Sequence, residues 1–164
     1  MRYASGYDKY FLDTFNEKGL AWELVVQFHY VLIMSRDNPL AVKNVIHFSD
    51  LQNMIEIAHA DPFVPSLPLS VVRKEELPDN VKRRIFVFER GTQFDLLAEN
   101  PETFMWVSPM PQRILERHGL VQRECPDNTR VYKDVLIYRR NYELSDLDRK
   151  FIREVKNSIR NHFC

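Results

Sequence analysis

Residues 110–164 decide the predicted fold and read MPQRILERHGLVQRECPDNTRVYKDVLIYRRNYELSDLDRKFIREVKNSIRNHFC. Pro111 suits the first turn of a short helix over 111–118, and Gly119 is placed to cap the end of that helix. Two segments of strand-forming residues follow, at 120–124 and 130–140, and a turn rich in proline, aspartate and asparagine joins them. The stretch therefore predicts a short helix, a β-hairpin and a long closing helix.

The closing helix has a clear start and an apolar face. The hydroxyl of Ser145 can accept a hydrogen bond from the amide of Asp148, whose carboxylate can complete a capping box and meet the positive end of the helix dipole. Apolar residues then recur along the helix at Leu147, Phe151, Ile152, Val155 and Ile159. A stripe of this kind has to pack against something, so we expect it to form core or an interface.

Basic residues lie on another face of the same helix, at Arg149, Arg153, Lys156 and Arg160. Their spacings of four, three and four place them side by side. One interpretation is a surface that contacts phosphates. The other is an ordinary solvated face, with cations near the negative end of the helix.

The short helix ending in LERHGL, the hairpin and the closing helix are together similar to the wing region of winged-helix regulators such as the MarR type. The likeness covers about a third of the chain and departs from that family over residues 84–108, which do not read as two linked helices. In such a fold the helix before the hairpin reads a major groove and the wing touches phosphates. The resemblance therefore implies nucleic-acid contacts by Arg113, Arg117, Arg123, Arg130, Lys133, Arg149, Arg153, Lys156 and Arg160.

The composition limits the class of protein. The chain has 164 residues, of which 45% are apolar and 28% charged, so it is globular and long enough to bury a core as one domain. Lysine and arginine equal aspartate and glutamate at 23 each, which excludes a globally basic nucleic-acid binder. Residues 110–164 carry a net charge of +4 and residues 1–109 a net charge of −4. This asymmetry favours either an anionic partner for the C-terminal part or electrostatic packing between the two parts.

The cysteines and the apolar runs predict a cytoplasmic protein without a membrane anchor. Cys125 and Cys164 have neither the spacing of a disulfide framework nor that of a zinc site, so we expect free thiols in a reducing compartment. The first ten residues lack the apolar core of a signal peptide. Residues 20–34 are the most apolar run, but they are too few and too polar for a membrane helix.

The N-terminal part predicts alternating helices and strands. Residues 7–18 read as a helix that Gly19 ends. Residues 20–34 are rich in branched and aromatic side chains, which favours a strand over a helix, and the turn residues after them favour pairing with residues 42–48. A helix is then expected over 51–58, capped by Ser49 or Asp50.

The middle of the chain predicts a boundary and a further set of elements. Residues 61–68 hold three of the nine prolines and no glycine, so we expect a stiff connector there and a subdomain boundary within a single domain 1–164. Strands at 84–89 and 104–108 flank a short helix at 94–99. The predicted fold class is α+β, with a mixed or antiparallel sheet, flanking helices and a winged-helix-like C-terminal helix–hairpin–helix.

The sequence contains no motif that fixes a reaction. The four glycines are scattered singly, which argues against a phosphate-binding loop, and the five histidines show no zinc-site spacing. His47 lies in a single His-x-Ser element, whereas the two-histidine phosphoesterases need two. Pro78-Asp79 ahead of strand 84–89 is similar to the PD-(D/E)xK nucleases, but Glu89 is followed by Arg90 and Gly91 and not by the required lysine. We expect no cofactor and no catalytic metal.

Three hypotheses of function remain. The first is a small non-enzymatic regulatory protein that binds nucleic acid or a protein through its basic C-terminal part. The second is a protein-binding adaptor or inhibitor that self-associates through an apolar face. The third is a nuclease-like enzyme with a dispersed site near His47, His59 and Glu89. The charge layout places the first hypothesis ahead of the other two.

Overall fold

The computed structural model describes residues 1–59, 81–88 and 91–163, with side chains described up to residue 159. The chain forms two compact units, which we call unit 1 (Met1–Tyr30 and Arg130–Cys164) and unit 2 (Val31–Thr129). The predicted connector at 61–68 lies outside the described residues. The prediction of a boundary there, inside a single domain 1–164, therefore stays a prediction.

Unit 1 is built on a three-stranded antiparallel sheet in the order β1–β8–β2. Its elements are β1 (Arg2–Ala4), a 3-10 turn (Ser5–Tyr7), α1 (Asp8–Glu17), β2 (Leu20–His29), β8 (Val131–Arg139) and α4 (Asp146–Phe163). Helix α1 packs Phe11 and Phe15 toward Tyr3, and the ring centroids of Tyr3 and Phe11 are 4.6 Å apart. Gly19 follows α1 with a φ of 61°, a conformation that favours glycine, so the predicted helix and its end are confirmed.

Helix α4 begins as its sequence predicts. The amide of Asp148 donates to the Ser145 hydroxyl over 3.2 Å, and the Asp148 carboxylate accepts from the Ser145 amide over 2.9 Å. These two bonds are the predicted capping box. They hold the carboxylate in its ionised form, so the pKa of Asp148 is lowered by the Ser145 hydroxyl and amide and by Tyr142.

Among the described residues, unit 2 contains a five-stranded mixed sheet in the order β5–β4–β6–β3–β7. Strand β4 runs parallel to both β5 and β6, whereas β3 runs antiparallel to both β6 and β7. The elements of the unit are β3 (Val31–Ser35), a 3-10 turn (Phe48–Leu51), β4 (Ile55–His59), β5 (Arg83–Val87), α2 (Gln93–Glu99), β6 (Thr103–Val107), α3 (Gln112–Arg117) and β7 (Leu120–Arg123).

Each face of the unit 2 sheet has its own apolar core. Helices α2 and α3 bury Leu97 and Leu115 together with Ile33, Ile57 and Met105 on one face. Loop and turn residues cover the other face, and the core there comprises Leu32, Met34, Ile46, Leu51, Met54, Val81, Phe104 and Cys125. Because both faces are covered, strand β3 is buried along its whole length and reads as a continuous apolar run.

The predicted C-terminal helix–hairpin–helix is wrong. Both strands exist, but β7 pairs with β3 in unit 2 and β8 pairs with β1 and β2 in unit 1. The turn at 125–128 does form, with the Asn128 amide donating to the Cys125 carbonyl over 3.0 Å. A local turn does not choose the partner of a strand, and here the buried faces of two separate sheets do so. Because this hairpin does not form, the winged-helix resemblance and the fold class inferred from it are also wrong.

The strand predicted over 20–34 is correct in type but wrong in its pairing. The run is extended, yet it divides at Tyr30 into β2 of unit 1 and β3 of unit 2. Residues 42–48 do not form its partner strand; they are mostly irregular, with one isolated bridge from Val45 to Glu124. The branched residues thus indicate the conformation of the run but not its neighbours.

The helix predicted over 51–58 is also wrong, because a 3-10 turn at Phe48–Leu51 leads into strand β4. Spacings of three and four do not distinguish a helix from a short strand that is buried on both faces. Glu56, Ile57 and Ala58 are successive buried residues of β4, which excludes an amphipathic surface helix. The other predicted elements, at 84–89, 94–99, 104–108 and 111–118, correspond to β5, α2, β6 and α3.

Candidate functional site

The nine predicted phosphate-contacting residues do not belong to one surface element. Arg113, Arg117 and Arg123 lie in unit 2, and the other six lie in unit 1. Arg113 and Arg117 are exposed on α3, where the prediction of base contacts stays open. Arg123 is half-buried and donates to the Ala41 carbonyl and, over 2.7 Å, to that of Gln122. Its guanidinium therefore connects the end of β7 to the turn that contains Ala41.

Some of the unit 1 cations have acidic partners. Lys133 lies 2.5 Å from the Asp8 carboxylate, and Lys156 pairs with Glu23 of β2. Arg153 is exposed and 3.6 Å from Glu154, a separation at which a surface pair contributes little. Arg149 is exposed, and the Arg160 side chain lies outside the described part of the chain.

A shallow groove of unit 1 brings three of the predicted cations together. Its lining comes from β2, from the segment before α4 and from α4 itself: Glu23, Leu144, Arg149, Ile152, Arg153, Lys156 and Asn157. Three cations against one carboxylate leave the groove net positive. Such a surface can attract a phosphate or carboxylate group, but its cations are mostly solvated and the attraction falls with salt.

A second candidate surface lies in unit 2, at the edge of the sheet where three parallel strands end. Strands β5, β4 and β6 run in the same direction, so their carboxyl ends meet at one edge. Helix α2 follows β5 and starts at that edge with Gln93. In open α/β sheets, the region outside the carboxyl ends of parallel strands is where ligands bind.

Near the carboxyl ends of the parallel strands, two side chains on opposite faces of the sheet each have a buried polar atom without a partner among the described residues. The Gln93 Oε1 atom and the Trp106 Nε1 atom are buried and make no hydrogen bond with any described residue. His59 is the half-buried last residue of β4, the strand that lies between β5 and β6. An unmet buried donor or acceptor costs about 1–3 kcal/mol. A ligand that forms hydrogen bonds with these two atoms would explain why they are buried without a described partner.

Sequence reasoning missed Gln93 and Trp106, although a usable signal is present. The predicted strand 84–89 and helix 94–99 form a strand–loop–helix unit, which places the helix start at the carboxyl edge of a parallel sheet. The sequence predicted a mixed or antiparallel sheet without identifying which strands are parallel, so it did not single out the edge at which their carboxyl ends meet. The sequence suggests His59 only as a member of a dispersed catalytic site.

His47 is fixed by two carboxylates in a loop of unit 2. Its Nδ1 atom is 2.9 Å from Asp127 Oδ1, and its amide donates to Asp50 over 3.0 Å. The pKa of Asp127 is lowered first by the Phe48 amide and then by the His47 ring. The pKa of Asp50 is lowered first by Lys43 and then by the His47 amide. These bonds connect the Asp127 turn to the start of the 3-10 turn at Phe48.

Two observations on the loop around His47 bear on the predicted dispersed catalytic site. Cys125 is buried there, and burial raises the pKa of its thiol, which opposes a role as a nucleophile at neutral pH. Within the described residues no group of three or more His, Cys, Asp or Glu side chains is arranged to hold a metal ion.

Comparison with known proteins identifies the fold. Neither the family models nor the curated proteins contain a match to this chain. Solved structures do match. A putative transcriptional regulator from Vibrio parahaemolyticus aligns with a TM-score of 0.62 and 16% identity, covering 87% of this chain and 67% of its own. The regulatory domain of MetR, a LysR-family regulator from N. meningitidis, aligns with a TM-score of 0.58 and 18% identity over 88% of this chain.

A third match is the regulatory domain of Synechocystis CcmR in complex with 2-PG, with a TM-score of 0.56, 19% identity and coverage of 88% of this chain and 69% of that one. This chain spans 66% of the length of the MetR domain. The chain therefore has the two-sheet fold of LysR-family regulatory domains. That likeness overturns the predicted helix–hairpin–helix fold class.

In the described part of the chain, no helix is long and apolar enough to cross a membrane.

Proposed function

We propose that this chain is a regulatory domain that responds to a small polar molecule. The observation that carries the proposal is the fold, which matches LysR-family regulatory domains over most of the chain. One of those domains was solved in complex with 2-PG. A regulatory role agrees with the regulatory part of the first sequence hypothesis, but not with its nucleic-acid contacts through a hairpin. The proposal also includes a cytoplasmic location.

Within this proposal, the carboxyl edge of the unit 2 sheet contacts the ligand. Gln93 and Trp106 supply an acceptor and a donor that are already desolvated. A ligand that bonds to them gains hydrogen bonds without a further cost for removing water from the protein groups. Gln93 starts α2 on one face of the sheet, whereas Trp106 packs against the core of the other face, so a ligand that bonds to both has to extend around the carboxyl edge and carry a donor and an acceptor.

Nucleic-acid binding is a second candidate, supported by the net positive groove beside α4. Fewer residues support it than the sequence suggested, because Arg123, Lys133 and Lys156 already bond to other groups of the chain. Binding through that groove would be modest and strongly dependent on salt. Contact through a hairpin wing is not part of the proposal.

A thermal-shift screen against small polar metabolites tests the proposed function. A ligand at about 100 times its Kd adds about 2.7 kcal/mol to the free energy of unfolding. For a domain of this size that corresponds to an increase in Tm of roughly 5–10 °C. A screen of the folded chain in which no compound raises Tm in a saturable way would contradict the proposal.

Two matched glutamine variants locate the site. Gln93→Leu removes the buried unpaired group, so we expect unchanged or slightly higher stability without ligand and loss of the ligand-induced shift. Gln112→Leu is the control, because Gln112 also begins a helix but is exposed and bonds to Glu116 over 3.1 Å. An equal loss of the shift in both variants would exclude the carboxyl edge as the site.

A further inference from the structure

Strand β2 has a backbone edge between Leu20 and Leu24, which we call the β2 edge. Among the described residues, β8 is the only strand that pairs with β2. The Arg140 amide donates to the Gly19 carbonyl over 3.0 Å, and successive pairs of an antiparallel ladder alternate between bonded and non-bonded. Leu20, Trp22 and Leu24 therefore occupy non-bonded positions, and their N–H and C=O groups point away from β8. The bulge that follows Leu24 ends this regular edge.

The two faces of the sheet beside the β2 edge differ in chemistry. Glu23 pairs with Lys156 of α4 on one face. Side chains alternate along a strand, so Trp22 and Leu24 lie on the opposite face, where they are 44% and 43% exposed. The edge contains neither proline nor lysine, two residue types that commonly protect an edge from further pairing. An apolar edge of this kind is a template for another strand.

The positive groove of unit 1 borders the β2 edge on the α4 face. Its lining comes from β2, from α4 and from the segment before α4, and no residue of β8 contributes, which places the groove on the outer side of β2. No described residue bonds to the Arg149 guanidinium, and Arg153 is 3.6 Å from Glu154. A strand added beside β2, about 4.8 Å away, would extend every second side chain toward this groove. Acidic side chains fit there, because the groove has three cations and one carboxylate.

We propose that the β2 edge binds an extended segment of another protein as an added antiparallel strand, and that apolar and acidic residues alternate in that segment. Backbone hydrogen bonds to the edge supply affinity, and the alternating side chains supply specificity. Directly opposed residues of an antiparallel pair share a face, so the apolar residues of the segment lie beside Trp22 and Leu24. The acidic residues lie on the other face, beside Arg149 and Arg153. The antiparallel direction continues the pattern of the unit 1 sheet.

Fluorescence anisotropy of the full chain with synthetic peptides tests the proposal. The probe is a short labelled peptide in which valine and glutamate alternate. In the proposed register the valine N–H groups face β2, and the glutamate N–H groups face away from it. N-methylation of the valine amides should weaken binding at least about tenfold, because it removes the donors of the shared ladder. N-methylation of the glutamate amides is the matched control and should change the dissociation constant by less than about twofold, because those amides make no bond to β2.

Two single variants of the protein test the charge complementarity. Arg149→Glu places a carboxylate in the groove and should weaken binding of the valine–glutamate peptide at least about tenfold. Arg113→Glu makes the same change of charge at an exposed position of α3 in unit 2 and should bind the peptide like the unaltered chain. A peptide in which valine and lysine alternate should bind Arg149→Glu more tightly than it binds the unaltered chain. Circular dichroism establishes first that both variants are folded.

Three results would overturn the proposal. The peptide with methylated valines could bind as tightly as the peptide with methylated glutamates, which would leave charge attraction without a shared ladder. Folded Arg149→Glu could bind the unmethylated peptide like the unaltered chain, which would place the peptide elsewhere. The valine–glutamate peptide could fail to bind at several hundred micromolar, and binding of duplex DNA alone would then assign the groove to nucleic acid. None of these results bears on the proposed ligand site in unit 2, so the two proposals are tested separately.

Discussion

Removing Arg84 should destabilise unit 2 in a way that depends on pH. Glu56 on β4 is 2% exposed, Arg84 on β5 has an 18% exposed side chain, and Arg84 Nε lies 2.7 Å from Glu56 Oε2. Arg84→Met leaves a carboxylate buried beside the apolar core. Breaking a buried pair in this way costs about 3–5 kcal/mol, because the remaining charge has lost its main compensation.

The sign of the pH dependence follows from the Glu56 pKa. Burial raises this pKa, and the Arg84 hydrogen bond opposes the rise. Loss of Arg84 should raise it further, so the folded protein favours protonated Glu56. The stability that this proton provides is fully present below the unfolded pKa of about 4.3 and is lost as pH rises through the folded pKa. The cost of Arg84→Met should therefore be largest near neutral pH and shrink as pH falls toward 4.

Urea denaturation at pH 7 and pH 4.5, followed by tryptophan fluorescence, measures this effect. Lys82→Met is the matched control, because Lys82 is exposed next to β5 and should change stability by less than about 0.5 kcal/mol. The double variant Glu56→Leu with Arg84→Met removes both charges and should recover most of the loss. A cost of Arg84→Met that is below about 1 kcal/mol at pH 7, or equal at both pH values, would refute the reasoning.

Three further predictions follow from single groups. Burial and the nearby Asp8 raise the pKa of Tyr3 to about 12. The stability provided by its neutral phenol should therefore be lost as pH rises from about 10 toward 12, and Tyr3→Phe should remove this loss in denaturation curves. Ser145→Ala removes the cap of α4 and should lower stability by about 1 kcal/mol in urea denaturation. Double reversal of Arg149 and Arg153 to Glu should weaken duplex DNA binding equally for all sequences and flatten the salt slope by about 0.9 per lost phosphate contact, whereas absence of binding by fluorescence anisotropy at low salt would end the nucleic-acid hypothesis.

Local signals predicted many elements of this protein, although not the strand at Ile55–His59, because such signals depend on residues close together in the chain. Gly19 and Gly119 both adopt positive φ at the ends of helices, as their positions indicate. The Ser145 and Asp148 pair forms its capping box. These features depend on steric limits and hydrogen bonds within a few residues, which a single sequence displays.

Strand partners were not predictable in the same way. Residues 20–34 alternate little between apolar and polar positions, so the run gives no sign that it divides at Tyr30 between two sheets. The turn at 125–128 lies between strands of two different units and still resembles a hairpin turn. Pairing depends on which faces are buried in the complete fold, and local patterns do not contain that information.

The candidate site illustrates the same limit. Basic residues are conspicuous in sequence, yet Arg123 and Lys156 have internal partners, and the exposed ones are divided between units. Gln93 and Trp106 are ordinary in sequence and become notable only because folding buries their polar atoms without a described partner. Burial is a property of the whole fold, so composition alone could not select them.

The most direct test of the central claim is a two-dimensional ¹⁵N NMR titration of the chain with a small polar ligand selected in the thermal-shift screen. The proposal predicts saturable changes at the backbone amides of Gln93 and Val107, at the indole N–H of Trp106 and around His59. It also predicts that these changes disappear in Gln93→Leu and persist in Gln112→Leu. Saturable changes confined to α4, with the signals of Gln93 and Trp106 unmoved, would contradict the assignment of a ligand-responsive site to the unit 2 sheet.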